Sequence, residues 1–184
     1  MYLVSKLKLN FTTMLKVFCT FFALIAVSNA AFPRKISFSS GHLFQGRNAT
    51  GVMVKNNNGQ QEIIWEKNQD NLKVYFSKIY EVTGKVETLE FENICDKTKK
   101  GSIKESVKKF TLNKLGKANK CPIRKGTVKI RYPISFSFEE EVKGNHCGPL
   151  IGIIHIVKNK QENSTTTPLL ITFLFRGFIT GDDC

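Results

Sequence analysis

Segments with the residue pattern of β-strands recur from residue 72 to the C-terminal end of the chain. Apolar and polar residues alternate in the first of them, and β-branched and aromatic residues dominate the later ones. Turn-forming residues, such as those at 81–84 and 159–168, separate them. The candidate strands span residues 72–76, 86–91, 127–132, 134–138, 150–157 and 169–179. With no internal repeat, the chain is predicted to be one mostly β domain.

The last two candidate strands are apolar on nearly both faces. Residues 150–157 have the sequence LIGIIHIV, and residues 169–175 have the sequence LLITFLF. Both strands are therefore predicted to be buried on both sides. They fit either a tightly packed sandwich or a hairpin with one face lining an internal cavity, and fifteen Phe against one Trp supply large apolar side chains for that interior.

One segment is predicted to be a short helix. Ser102 and Glu105 have the spacing of a capping box, in which both side chains bind free backbone N–H groups at the helix start. Gly116 is expected to supply the left-handed residue that ends the helix. The apolar stripe consists of Ile103, Val107 and Phe110. Leu112 and Leu115 fall off that stripe, which keeps the predicted helix short or irregular.

The N-terminal thirty residues have the pattern of a signal peptide. They contain three Lys and no acid, followed by the uncharged run 17–27. That run is shorter than the roughly 20 residues of a membrane-spanning helix. Cleavage is expected after Ala30, whether translation starts at Met1 or at Met14, leaving residues 31–184 as the mature domain. The protein is therefore predicted to be secreted, or lumenal in the secretory or lysosomal pathway, without a transmembrane segment.

Secretion decides how the cysteines are interpreted. Four of the five follow the signal segment, and an even number in an oxidising compartment predicts two disulfides with three possible pairings. These residues are Cys95, Cys121, Cys147 and Cys184. No metal-ligand spacing occurs, so neither metal nor cofactor is expected. Asn48 and Asn163 each begin a glycosylation sequon in polar surroundings.

No catalytic motif is present. The chain lacks G-x-S-x-G, H-E-x-x-H and the glycine-rich nucleotide motifs. The carboxylates of residues 139–141 would alternate between strand faces, and a solvated strand end is the expected setting for them. His155 is expected at the core or its rim. The protein is therefore predicted not to be an enzyme, with no catalytic residue to assign.

A resemblance to a known family rests on two motifs and the final hairpin. Residues 91–96 are FENICD and residues 121–127 are CPIRKGT, and the two cysteines are separated by 26 in sequence number (121 minus 95). The apolar hairpin of 150–160 and 169–178, with Gly177, follows them. This arrangement resembles the secreted lipid-recognition (ML) superfamily, in particular the branch of the ganglioside activator protein and its arthropod relatives. The resemblance covers roughly residues 72–179.

The resemblance implies an immunoglobulin-like β-sandwich whose sheets splay around an internal apolar lipid cavity. It implies a Cys95–Cys121 disulfide, with Cys147 and Cys184 left as the second pair. The family's frequent early cysteine is missing, because residues 31–94 contain no Cys. The implied partner is a lipid: a phospholipid, glycolipid, fatty acid or sterol. Candidate cavity residues are Phe76, Phe91, Phe136, Phe138, Ile154, Ile156, Phe173 and Phe175.

Net charge supports a different function as the alternative. The chain carries a formal charge of +13, and lysines are frequent between Lys97 and Lys120. Such a surface could bind anionic glycans or an acidic membrane surface by electrostatics, or serve only to solubilise the protein. Nucleic acid is not expected as a partner, because the protein is predicted to be exported.

Overall fold

The structure, a computed structural model, describes residues 14–21, 32–57, 59–140, 146–159, 167–182 and 184. The chain divides into two units, residues 1–31 and 32–184. In the first, residues 14–21 form helix α1, and the predicted cleavage site lies outside the described residues. The described helices include none long and apolar enough to cross a membrane.

The second unit contains nine described strands in two sheets. The strands are β1 Phe32–Gln45, β2 Val52–Asn57, β3 Gln60–Trp65, β4 Leu72–Tyr80, β5 Val86–Phe91, β6 Gly126–Ile130, β7 Ile134–Glu140, β8 Gly148–Lys158 and β9 Leu169–Gly181. Helix α2 spans Ile103–Phe110. The larger sheet has the order β5-β4-β8-β9-β1-β7 and the smaller one β2-β3-β6, with antiparallel pairing throughout.

The mostly β, sandwich-like fold agrees with the sequence prediction. All six candidate strands are present, and five of them differ from their predicted bounds at one or both ends. Strands β1, β2 and β3 were not predicted. β1 is the most important of them, because it pairs with both β7 and β9 inside the larger sheet.

The larger sheet is strongly curved. Four inter-strand steps of about 4.8 Å separate β4 from β7, which would place them about 19 Å apart in a flat sheet. The ring centroids of Phe76 on β4 and Phe136 on β7 are nevertheless only 6.2 Å apart. The two ends of the sheet therefore face each other across an interior, and helix α2 packs against β7 beside this interior.

The outer face of the β8–β9 hairpin differs from the prediction. Its inner residues are buried, but Ile151, Ile153 and Leu174 on the opposite face are only half-buried, and Phe178 is exposed. The prediction that both faces are buried was wrong for this reason: within the described chain, no second layer covers the convex side of the curved sheet at these residues.

Helix α2 begins as predicted and ends differently. The Ser102 hydroxyl accepts a hydrogen bond from the Glu105 backbone N–H, and the Glu105 carboxylate accepts one from the Gly101 N–H. A π-helical turn, Thr111–Leu115, then follows. Its wider turn rotates the apolar stripe, so Leu112 and Leu115 become buried although they fall off an ideal α-helical stripe.

The left-handed residue after this turn is Lys117, with φ of 48°, and not Gly116, whose φ is −105°. A lysine there carries the steric cost that a glycine would avoid.

Two disulfides fix the loops of this unit, and their pairing is the one that the family resemblance implied. Cys95 is bonded to Cys121, which ties together both ends of the segment that carries α2. Cys147 is bonded to Cys184 near the end of β9. Two disulfides are consistent with folding in an oxidising compartment.

A hydrogen bond joins the smaller sheet to the π-helical turn. The Trp65 indole N–H donates to the Leu115 carbonyl over 2.9 Å.

Candidate functional site

Phenylalanine rings fill the interior of the curved sheet. Phe38 on β1 stacks on Phe175 on β9 with centroids 4.4 Å apart. Phe110, the last residue of α2, lies 4.9 Å from Phe136 and 5.8 Å from Phe175. The phenylalanine cluster, as we call it, consists of Phe38, Phe76, Phe110, Phe136, Phe138, Phe173 and Phe175. The helix thereby adds an aromatic wall to an interior built mainly by strands.

Five of the eight predicted cavity residues belong to this cluster: Phe76, Phe136, Phe138, Phe173 and Phe175. The other three, Phe91, Ile154 and Ile156, are buried in the same continuous core. Phe136 is the only one of the eight that is half-buried. The sequence analysis did not assign Phe38 or Phe110 to the cavity. Phe38 lies on β1, a strand that was not predicted, and Phe110 was assigned only to the apolar stripe of the predicted helix.

Charged and polar side chains form one end of this interior. Buried Lys78 lies 2.8 Å from the Glu87 carboxylate, and buried Arg34 lies 3.1 Å from Glu140. His146 connects the two pairs, with Nδ1 at 2.8 Å from Glu140 and Nε2 at 3.4 Å from Glu87. We call this group, with Tyr80 and Lys85, the charged collar: Arg34, Lys78, Tyr80, Lys85, Glu87, Glu140 and His146.

The collar brings the two edges of the larger sheet together. Glu87 lies on β5 and Glu140 on β7, which are the first and last strands of the sheet. Five strand spacings, about 24 Å in a flat sheet, separate these strands. A single imidazole contacts both carboxylates, so the curvature of the sheet brings its two edges close together at this end.

Ion pairing and burial perturb the acid–base properties of the collar. Burial alone would raise the pKa of Glu87, but hydrogen bonds from Lys78 and Lys85 outweigh it and lower the pKa to about 2. Burial, followed by the negative charge of Glu87, raises the pKa of Tyr80. The Tyr80 hydroxyl therefore stays protonated and donates to the Glu87 carboxylate over 3.1 Å.

The lowered pKa of Glu87 predicts a loss of stability in acid. The folded pKa of about 2 lies below the unfolded value of 4.5, so the stabilising contribution is present above pH 4.5 and disappears as pH falls towards 2. Glu87→Gln should flatten the fall in melting temperature across this range, as measured by circular dichroism. Glu139→Gln, an exposed site, should leave the slope unchanged. Equal slopes for wild type and Glu87→Gln would contradict the prediction.

A pocket lies between β5, β7 and the start of α2, next to the collar. Its volume is ≈ 290 Å³, and its apolar wall comes from Leu89, Ile103 and Phe138. Its polar wall includes Lys78 and Glu87. Among the predicted cavity residues only Phe138 contributes to it. The pocket therefore joins an apolar surface, continuous with the phenylalanine cluster through Phe138, to the charged collar.

The remaining predicted sites have varied outcomes. Asn48 is exposed in the turn after β1, whereas Asn163 lies outside the described residues. His155 is half-buried on the convex face of β8, in phase with Ile151 and Ile153, and its Nδ1 is 2.9 Å from the Thr172 hydroxyl. Glu140 corrects the expectation of a solvated acidic run, because it is largely buried against Arg34 and His146. In the described part of the chain, no group of three or more His, Cys, Asp or Glu side chains is arranged so that it could hold a metal ion.

Comparison with protein-family models, with curated proteins and with solved structures finds no match for this chain.

Proposed function

We propose that this protein is a secreted, noncatalytic lipid-binding or lipid-transfer protein. Its ligand is an acyl lipid or a sterol, held between the curved sheet and helix α2. The observation that carries the proposal is the pocket beside the collar, where Leu89, Ile103 and Phe138 form an apolar wall that continues into the phenylalanine cluster. Sequons at Asn48 and Asn163 fit a glycoprotein of the secretory pathway.

The hydrophobic effect supplies the binding free energy in this proposal. Each CH₂ group removed from water contributes about 0.8 kcal/mol. The pocket volume of ≈ 290 Å³ is close to the lower end of the usual range for ligand sites, about 300 to 1,000 Å³. It accommodates part of a lipid tail, and the half-buried ring of Phe136, 6.2 Å from Phe138, is the side chain best placed to move for the remainder.

The charged collar suits the polar head of such a ligand. An amphiphile needs hydrogen-bonding groups where its tail ends, because a buried polar group without a partner is costly. The ammonium group of Lys78 and the carboxylates of Glu87 and Glu140 all line the pocket. Together these groups offer hydrogen-bond donors and acceptors to the polar head group of a glycolipid, phospholipid, fatty acid or sterol.

Native mass spectrometry of protein secreted from eukaryotic cells tests the proposal. A bound lipid mass should be present after gentle purification, or should appear after addition of phosphatidylcholine, oleic acid or cholesterol. Leu89→Trp fills the pocket and should lower the occupied fraction at least about tenfold, since it removes the apolar contacts of several methylene groups. Protein that stays empty with all three lipids would contradict the proposal.

Val86→Trp is the matched control. Val86 is on the same edge strand as Leu89 but points to the opposite face, where it is 57% exposed. The same substitution should therefore leave lipid occupancy at the level of the wild type. Equal effects of the two tryptophans would show that lipid binds somewhere other than this pocket.

A further inference from the structure

A second concave surface lies away from the collar, along the free edge of β6. This groove has a volume of ≈ 470 Å³. It is lined by residues 127–130 of β6 and by Arg131, Pro133 and Ile134, which follow the strand. β6 is the last strand of the smaller sheet and pairs only with β3. The opposite wall is formed by Asn113, Lys114 and Lys117 from the π-helical turn and the residues after it.

The groove is strongly cationic. Lys114, Lys117, Lys129 and Arg131 line it, and no acidic residue does. Lys129 is 3.5 Å from Glu62. The other three cations have no ion-pair partner among the residues that the structure describes. All four cations are exposed side chains that surround one concavity with no acidic residue in its lining, and this arrangement favours an anionic ligand.

Lys117 is the only described non-glycine residue with positive φ. Glycine is the common choice for the left-handed residue that follows a helix, and a longer side chain there has a steric cost. A glycine at position 117 would support the same backbone conformation without this steric cost. The lysine does, however, place a third unpaired cation on the wall of the groove, which is the second observation in favour of a ligand.

We propose that this groove binds a sulfated glycan chain. The Asn113 amide and the Thr127 hydroxyl add neutral hydrogen-bonding groups between the cations, and these suit sugar hydroxyls. A flat anionic membrane fits less well. None of the exposed large apolar side chains of the described domain, such as Phe44, Val82 and Phe178, lines the groove, and surface-bound membrane proteins insert such groups. This site is independent of the proposed lipid pocket.

Calorimetry with a heparin hexasaccharide tests the proposal, using a desulfated hexasaccharide of the same length for comparison. The triple variant Lys114→Gln, Lys117→Gln and Arg131→Gln should weaken heparin binding by about tenfold or more, since each exposed ion pair contributes modestly and three are lost. The control triple variant Lys97→Gln, Lys99→Gln and Lys100→Gln loses the same charge outside the groove and should weaken binding less than about threefold. Equal losses would show diffuse attraction and overturn the proposal.

Lys117→Gly separates binding from folding. It relieves the left-handed backbone, so the melting temperature should stay the same or rise, while the affinity for the hexasaccharide should fall about two- to threefold. Unchanged affinity would contradict the role of Lys117. Vesicles containing phosphatidylserine provide the last arm: a groove that binds these vesicles but discriminates neither the sulfated from the desulfated glycan would be a membrane site, and the proposal would be wrong.

Discussion

Replacing Arg34 by methionine is expected to lower the free energy of unfolding by about 3 to 5 kcal/mol, because it removes the guanidinium partner of the Glu140 carboxylate in a largely buried site. Arg34 is 1% exposed and lies 3.1 Å from the Glu140 carboxylate, whose side chain is only 14% exposed. Its guanidinium also donates to the Cys184 sulfur over 3.6 Å. Urea denaturation of the secreted protein measures the loss.

The chain offers a matched control for this substitution at Arg176. That guanidinium makes two hydrogen bonds to Glu81, of 3.0 and 2.9 Å, but its side chain is 71% exposed. Solvent screens the pair, so Arg176→Met should change stability little. The double variant Arg34→Met with Glu140→Gln should recover part of the loss, since it removes the uncompensated charge. Similar losses for Arg34→Met and Arg176→Met would contradict a stabilising role for the buried pair.

Strands with a continuous apolar pattern could be predicted from the sequence. β4 and the β8–β9 hairpin have strong apolar patterns and were predicted. β3 was missed although its side chains alternate between buried and half-buried, because one of its three buried positions is a glutamine, Gln61. β1 was not predicted, although with 14 residues it is the longest described strand of the larger sheet. Serine, glycine and a register shift between Phe38 and Ser40 interrupt its alternation. A pattern of period two cannot survive such a bulge.

The sequence contains a pattern that indicates the charged collar, because two of its cations lie in phase with apolar core residues. Lys78 follows Val74 and Phe76 in the inward phase of β4, and all three are buried. Arg34 has the same relation to Ile36 and Phe38 on β1. A charge in phase with core residues must be buried or lie at the end of the interior, where it needs a partner. Which partner it finds depends on the curvature of the sheet, and no local pattern encodes that.

The groove along β6 shows the complementary limit. The Lys-rich segment was recognised from composition, but many of its lysines are ordinary surface groups, and Lys109 pairs with Glu105 on its own helix over 2.9 Å. Two lysines from this segment, Lys114 and Lys117, lie opposite Arg131 because the π-helical turn packs beside β6. The charge could thus be predicted from sequence, whereas the concave surface required the packing of elements that are separate along the chain.

Phe110→Ala should have the second large effect, a loss of about 3 to 5 kcal/mol in the free energy of unfolding, because it opens a cavity among rings that relax only in part. Phe110 is 3% exposed and contacts Phe38, Phe136 and Phe175, which lie on three different strands. The helix would then lose its aromatic contact with the interior. Urea denaturation without added lipid measures this loss.

The same variant connects stability to the proposed ligand. A lipid tail that enters the interior would fill the new cavity, and a ligand that binds only the folded state stabilises it. Oleic acid should therefore raise the stability of Phe110→Ala more than that of the wild type. Ile63→Ala is the control: Ile63 is fully buried in the smaller sheet, outside the phenylalanine cluster, so its loss should not be recovered by oleic acid. Recovery of both variants to the same degree, or of neither, would place the lipid outside the space that Phe110 closes.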